Sequence, residues 1–281
     1  MALAECCISC LYEKQKHMSG DAAYLAEIRQ IIESRRGCDT TPYLLYLFQQ
    51  AYERRFGKGS PFGERKRQYN DLVLSMEDAV RAQLEEAADP LKKALAYARV
   101  GNYIDFGALD RVDEEDFLKL FRDAELSGKD EEVLASFLRQ CGEAGRFLLI
   151  CDNCGEIVLD KLFLEQLKKR FPVLSLTVMV RGEETLNDAT REDALYVGMD
   201  QVAELVTNGT SIAGTVYETL PTDAREALDR ADVILAKGQG NYESLSRQGR
   251  HIFYSFLCKC ELFTGRFQVP LFSGVFAEER E

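Results

Sequence analysis

The sequence predicts an α/β protein in which a doubly wound, mostly parallel sheet follows an all-helical N-terminal region. Two observations support this prediction. From Arg146 onward, short apolar runs alternate with helical stretches, whereas no strand-like alternation of any length precedes residue 140. Strands that alternate with helices are typical of βαβ units, and strands that are apolar throughout are typical of a parallel sheet covered on both faces.

The N-terminal part is predicted to be helical from its apolar stripes and its start and stop signals. One stripe recurs every four residues from Leu72 to Leu84, and a last one runs from Val133 to Cys141. Asp89-Pro90 begins a helix that Gly101 ends. Asp113 is a typical N-cap with further acids in the first turn. We expect residues 1–142 to form a helical cap region and residues 143–281 the α/β region that carries the site, as two regions or as one integrated domain.

The second part contains five short runs with strand composition, separated by helical stretches. The predicted strands are 147–151, 174–180, 203–207, 233–236 and 251–257, and the predicted helices are 156–170, 222–231 and 242–247. Most of these runs are rich in β-branched residues, leucine and phenylalanine, which favours strands. The helical region is expected to cover the sheet, so that the site lies beneath it.

Charge and composition restrict the partners. The net charge of −12 disfavours nucleic acid, whose phosphates require lysine and arginine, but it allows a small phosphorylated substrate. The longest apolar runs are too short to cross a bilayer, so no membrane partner is expected. The first ten residues lack a basic segment and contain Glu5, which argues against a secretory signal. Nine cysteines in such a chain indicate free thiols and a reducing cytoplasm.

Two cysteine pairs have C-x-x-C spacing, Cys7/Cys10 and Cys151/Cys154. A joint zinc site is disfavoured because neighbouring residues of a strand face opposite ways, and Cys151 is better explained as a core residue. Cys7 and Cys10 lie at the start of a helical stretch. Metal binding, redox chemistry and simple packing stay open for this pair.

Polar clusters follow four of the predicted strands. They are Asp152-Asn153, Asn187-Asp188, Asn208-Gly209 and Lys237-Gly-Gln-Gly-Asn241. Because ligands bind at the carboxyl ends of parallel strands, we expect these clusters to form one site.

Asp152, Asn153 and Asp188 supply the oxygen ligands that suit a hard or borderline divalent ion. The sequence therefore predicts Mg²⁺, Mn²⁺, Co²⁺ or Ni²⁺ as the cofactor rather than zinc. An alternative for Asp152 and Asp188 is helix capping. Lys237 ends a strand, where lysine is depleted, and lysine commonly binds phosphate. Gly238 and Gly240 would let backbone N–H groups approach an anion, but this segment matches neither a dinucleotide fingerprint nor a P-loop.

Together these segments resemble the metal-dependent, ARMT-like damage-control phosphatases. The resemblance is carried by Asp152-Asn-Cys-Gly-Glu156, Asn187-Asp-Ala-Thr190, Lys237-Gly-Gln-Gly-Asn-Tyr-Glu243, Gly101-Asn-Tyr-Ile-Asp-Phe106 and Lys259-Cys260. Cys7-x-x-Cys10 resembles the cysteine-pair branch of this family, which is found mainly in prokaryotes. Thr207-Asn-Gly-Thr210 departs mildly from the expected serine- or threonine-glycine step.

The resemblance implies a metal held by Asp152, Asn153 and Asp188, with Lys237 on the substrate phosphate. It also implies hydrolysis of phosphate monoesters of small damaged or surplus metabolites, such as sugar phosphates or phosphopantetheine derivatives. We expect Glu156 or Asp188 to position or deprotonate the attacking water. The expected substrate contacts are Asn102, Asp105, Asn208, Gly209 and Asn241, with helix-end capping as the alternative for Asn102 and Asp105.

Two other functions are weighed against this one. A carboxyl methyltransferase that uses S-adenosylmethionine is compatible with a doubly wound sheet, but it needs a glycine-rich first loop, where this chain has only Gly155. A non-catalytic metal or thiol sensor would use Cys7 and Cys10, with Cys258 or Cys260.

Overall fold

The computed structural model describes residues 3–36, 39–59, 62–103, 121, 124–126 and 128–280. Within these described ranges, six α-helices come first: α1 Glu5–Met18, α2 Ala22–Glu33, α3 Thr41–Phe56, α4 Gly63–Ser75, α5 Glu77–Glu86 and α6 Pro90–Gly101. The next three are α7 Lys129–Glu143, α8 Glu156–Arg170 and α9 Arg191–Tyr196. The last three are α10 Thr222–Arg230, α11 Gln239–Leu245 and α12 Glu261–Phe267.

Six strands form one sheet with the order β3-β2-β1-β4-β5-β6. The strands are β1 Arg146–Ile150, β2 Ser175–Val180, β3 Glu204–Thr207, β4 Val233–Lys237, β5 Ile252–Leu257 and β6 Gly274–Glu279. All neighbouring pairs are parallel except β5 and β6, which are antiparallel. The predicted α/β fold with a mostly parallel sheet and an N-terminal helical region is confirmed.

The direction in which successive strands are added to the sheet reverses between β1 and β4, which are parallel, hydrogen-bonded neighbours in its centre. β2 and β3 lie on one side of this pair, and β5 and β6 lie on the other. The carboxyl ends of β1 and β4 therefore flank the crevice where an open α/β sheet binds its ligand.

The five predicted strands agree with β1–β5 to within one residue at either end. β6 was missed by the sequence analysis. Its second half, Ala277 to Glu279, is only partly buried and ends in two glutamates, so it lacks the continuous apolar run that marks the parallel strands. It pairs with β5 through its backbone at the edge of the sheet, where such a composition is tolerated.

The helical region does not simply cover the sheet. Core residues of α4 to α7, among them Val73, Leu84, Leu95 and Phe137, belong to the same hydrophobic cluster as α8 and one face of the sheet. The opposite face packs against α10 to α12. Helices α1 to α3 form a smaller cluster of their own around Tyr24 and Phe48. Half of the helical region is thus one layer of the α/β sandwich.

Details of the helical prediction also differ. The stripe from Leu72 to Leu84 is divided at Met76, which ends α4 and precedes α5. Asp89 caps α6 as expected, because its carboxylate accepts the Lys92 N–H at 3.0 Å. The cap assigned to Asp113 lies outside the described residues. Among the helices of the described ranges, none is both long and apolar enough to span a membrane.

Candidate active site at the carboxyl ends of the strands

The loops after β1 and β2 meet directly at the end of the sheet. Asn153 and Asp188 form an antiparallel bridge. The Ala189 N–H donates to the Asp152 carbonyl oxygen at 2.8 Å, and the Cys154 N–H donates to the Asn187 carbonyl oxygen at 2.8 Å. Two loops that are distant in sequence are therefore fixed side by side by backbone hydrogen bonds. The structure brings together Asp152, Asn153 and Asp188, as the sequence predicts.

Two carboxamides bridge the acidic residues of the first loop. The amide nitrogen of Asn102 donates to Asp152 Oδ2 at 2.8 Å and to Glu156 Oε2 at 3.0 Å. The amide nitrogen of Asn153 makes the same pair of contacts at 2.8 Å and 3.0 Å. Asn102 is held in turn by the Leu257 N–H, which donates to its Oδ1 at 3.1 Å. Asn102 therefore positions the carboxylates from the end of α6.

Arg181 was missed by the sequence analysis and is central to the site. Its Nε donates to Asp188 Oδ2 at 2.6 Å, and its Nη2 lies 3.6 Å from Asp152 Oδ1. The side chain is buried, and Nη2 has no hydrogen-bond partner among the residues that the structure describes. The available signal was the one applied to Lys237: a cation that directly follows an apolar strand at the same edge of the sheet.

Lys237 does not face the open side of the site. Its ammonium group is fully buried and donates to Glu156 Oε1 at 2.6 Å, Asp160 Oδ1 at 2.7 Å and the Ala98 carbonyl oxygen at 2.9 Å. An ammonium group has three donors, so these contacts use all of them. This placement differs from the expected phosphate contact. The sequence analysis also missed Asp160 as a partner of this lysine.

Glu156 likewise lies behind the site. It is fully buried between Lys237 and the two carboxamides, so it does not reach a water in the crevice as the sequence analysis expected. Asp188, the other candidate base, is also buried, but it lies in the loop that forms the bridge to Asn153.

We call Asp152, Glu156, Asp160, Arg181, Asp188 and Lys237 the buried ionic network. It contains four carboxylates and two cations, so its formal net charge is −2 when every group is ionised. Burial raises the pKa of Asp152 to about 7, with the Asp188 and Glu156 carboxylates adding to the effect. Burial also raises the pKa of Asp160 to about 7, against the opposing effect of Lys237. Burial lowers the pKa of Lys237, but Asp160 and Glu156 outweigh it and the net change is upward.

This network fits a divalent cation. Two positive charges would neutralise its formal excess, and carboxylate and carboxamide oxygens are the donors that hard divalent ions prefer. Within the described ranges, no three His, Cys, Asp or Glu side chains are already arranged as a metal site. The candidate ligand set is of a different kind, because it combines two carboxylates, on Asp152 and Asp188, with the carboxamide of Asn153.

Asn208 and Asn241, the expected substrate contacts that follow β3 and β4, hold the loops together instead. Asn241 is buried, and its amide nitrogen donates to the carbonyl oxygens of Cys151 and Lys237, at 3.1 Å and 2.7 Å. Its Oδ1 accepts from Arg181 and Thr215, so it fixes the ends of both central strands. Asn208 is also buried and closes its own loop, accepting the N–H groups of Gly182 and Thr210. The side-chain amides of Asn208 and Asn241 therefore contact protein groups.

The glycines of this region are needed for close approach. Gly238 has φ +79°, and a Cβ at this position would lie 2.1 Å from Asp152 Oδ2. Its N–H donates to the Ser255 carbonyl oxygen at 3.2 Å rather than facing an anion. A Cβ at Gly209, where φ is +71°, would meet the ring of Pro221 at 2.9 Å. Both positions exclude a side chain because other residues of the protein, Asp152 and Pro221, already fill that space.

Lys259 is the cation at the rim of the site. It follows β5, its side chain is half-buried, and its backbone N–H donates to Gln239 Oε1 at 3.2 Å. Its charge is close enough to oppose the rise in the pKa of Asp152, an effect larger than that of Arg181. Lys259 is therefore a half-buried cation whose charge acts on the candidate metal ligand Asp152.

The remaining candidates are dispersed. Asp105 lies outside the described residues, and Asn102 is the part of that motif which the structure places at the site. Cys7 is half-buried and Cys10 is exposed, whereas Cys151 and Cys154 are buried. Burial raises the pKa of the Cys7 thiol to about 11, with smaller contributions from Cys6 and Glu243.

Comparisons with known proteins find similarity over most of this chain. The model of the damage-control phosphatase ARMT1-like domain matches residues 3–275. A damage-control phosphatase of Archaeoglobus fulgidus is 30% identical over 276 residues, which cover 93% of each chain. One of Pyrococcus horikoshii is 30% identical over 219 residues, covering 76% of this chain and 73% of that protein. The crystal structure of a DUF89 family protein from P. horikoshii superposes with a TM-score of 0.81 and 22% identity, covering 99% of both chains.

Proposed function

The chain belongs to the ARMT1-like damage-control phosphatase family, and on that premise we propose that it is a divalent-metal-dependent phosphatase of small phosphorylated metabolites. Damaged or surplus sugar phosphates and phosphopantetheine derivatives are the proposed substrate class. The main support is the buried ionic network, in which four carboxylates face only two cations, Arg181 and Lys237, at the carboxyl edge of the sheet. Mn²⁺, Mg²⁺, Co²⁺ and Ni²⁺ are the candidate ions.

Asp152, Asn153 and Asp188 are the proposed metal ligands. A bound divalent ion would polarise the phosphoryl group and lower the pKa of an attacking water. Asp188 is the proposed residue that orients this water, because its loop is bridged to Asn153, a proposed metal ligand, while Glu156 is enclosed by protein. Arg181 fixes the Asp188 carboxylate through its 2.6 Å contact, and Asn102 fixes that of Asp152.

Lys259 replaces Lys237 as the proposed phosphate-binding cation. Lys237 donates all its hydrogens to protein acceptors, whereas Lys259 is partly accessible and influences Asp152. Charge on the equatorial phosphoryl oxygens is stabilised mainly by such positioned cations. Lys237, Asn208 and Asn241 are proposed to hold the loops rather than the substrate.

The proposal is tested by a screen of phosphorylated metabolites with purified protein and each of the four ions in parallel. We expect phosphate release that a chelator abolishes and that added metal restores. Calorimetry with S-adenosylmethionine in the absence of metal is the companion measurement. Binding of that methyl donor, together with no phosphate release under any metal, would support the methyltransferase alternative.

Replacing Lys259 by methionine is expected to lower kcat/KM about 10- to 100-fold, because one charge-assisted contact to phosphate contributes about 1.5–3 kcal/mol. The melting temperature should hardly change, since the side chain is half-buried at the rim. Steady-state kinetics with p-nitrophenyl phosphate and thermal unfolding measure the two effects. Lys58→Met, at an exposed position, is the matched control. Wild-type kinetics in Lys259→Met would remove this residue from the phosphate site.

A further inference from the structure

We propose that Asn70 is a positioning residue that sets the separation of the two metal-binding loops. This inference rests on the proposed metal site. Asn70 lies on α4, in the helical region, and its side chain is fully buried at the interface with the α/β part. It is 82 residues from the first proposed ligand in sequence, yet it contacts the loop after β1 directly and the loop after β2 through Asp193 on α9.

The first contact holds the loop after β1. The Gly155 N–H donates to Asn70 Oδ1 at 2.7 Å. Gly155 has φ +77° and immediately precedes α8, so its N–H is one of the helix-terminal donors that α8 itself does not satisfy. Asn70 thus fixes the turn that carries Asp152 and Asn153.

The second contact holds the loop after β2. The Asn70 amide nitrogen lies 3.4 Å from Asp193 Oδ1. The other oxygen of Asp193 accepts the Thr190 N–H at 2.9 Å and pairs with Lys66, also on α4, at 2.6 Å. Thr190 is two residues after Asp188, and Asp193 therefore ties the second loop to α4.

The Asn70 side chain consequently links the loop after β1, which carries Asp152 and Asn153, to the loop after β2, which carries Asp188. Moving either loop by a fraction of an ångström would change the separation between the Asp152 and Asp188 oxygens. Outer partners that orient metal ligands typically change metal affinity 10- to 100-fold when they are removed. Asn70 is such a partner for two ligands at once, although it contacts neither of them directly.

The test is the Mn²⁺ affinity of Asn70→Ala, measured by titration calorimetry and by the EPR signal of free Mn²⁺. We expect a 10- to 100-fold loss of affinity, with kcat largely recovered at saturating Mn²⁺. Gln15→Ala is the matched control, because Gln15 is also a buried polar helical residue, bonded to Tyr24 and remote from these loops. Both variants should lower the melting temperature of the metal-free protein, but only Asn70→Ala should change the Mn²⁺ affinity.

A second variant covers the case in which Asn70→Ala does not fold. Asn70→Asp keeps the acceptor for the Gly155 N–H but places a carboxylate oxygen against the Asp193 carboxylate, so the tie to the second loop is lost and a lower Mn²⁺ affinity is again expected. Wild-type Mn²⁺ affinity in Asn70→Ala, or in Asn70→Asp where the alanine variant is insoluble, would overturn the inference. An absence of Mn²⁺ binding by the unmutated protein would instead contradict the proposed metal site itself.

Discussion

Replacing Asp152 by asparagine is expected to reduce metal-dependent phosphatase activity by at least about a thousandfold, because a ligand to a catalytic metal supports several kcal/mol of transition-state stabilisation. The same change should leave the melting temperature of the metal-free protein unchanged or raised. It removes one negative charge from a buried network whose formal charge is −2, and the asparagine oxygen can still accept from Asn102 and Asn153. Kinetics with p-nitrophenyl phosphate and Mn²⁺, and thermal unfolding with a chelator, measure the two effects.

Asp188→Asn provides a contrast within the same site. It should also abolish activity, but it should lower the metal-free stability, because Arg181 loses the carboxylate that lies 2.6 Å from its Nε. Asp200→Asn, at an exposed position, is the control for loss of an aspartate elsewhere. Retained activity in Asp152→Asn would show that the metal is held by other groups or is not required.

Replacing Lys237 by methionine is expected to destabilise the fold by about 3–5 kcal/mol, since it leaves the Glu156 and Asp160 carboxylates buried without their cation. In a chain of this size, the melting temperature should fall by on the order of 10 °C. Thermal unfolding of the metal-free protein measures the effect separately from catalysis. The double variant Lys237→Met with Asp160→Asn should recover part of the loss, because it removes one of the two unpaired carboxylates.

This result would distinguish the two interpretations of Lys237. If the lysine served the substrate phosphate, Lys237→Met would keep its stability and lose activity, as Lys259→Met is expected to do. An unchanged melting temperature together with lost catalysis would therefore restore the phosphate contact that the sequence analysis assigned to Lys237.

The sequence alone determined the strands β1 to β5, their order along the chain and the edge at which polar groups collect. Continuous apolar runs mark β1 to β5. Polar or charged side chains stand at or just after the ends of β1, β2 and β4, where a buried strand would usually carry apolar residues. This information is local, because the period and length of an apolar run are properties of neighbouring residues. The sequence analysis missed the edge strand β6 because its pairing depends on the backbone of β5 rather than on its own composition.

Only the tertiary structure decided which polar group faces the crevice and which faces the protein. Lys237 ends β4 and Lys259 follows β5 at the same edge, but the direction of the Lys237 side chain depends on acceptors that lie far away in sequence, Asp160 and the Ala98 carbonyl. Arg181 and Asn70 owe their roles to partners brought close by packing between α4, α8 and the sheet. A buried charge is stable only where distant segments supply its counter-charge and hydrogen bonds, and no local pattern in the sequence records that condition.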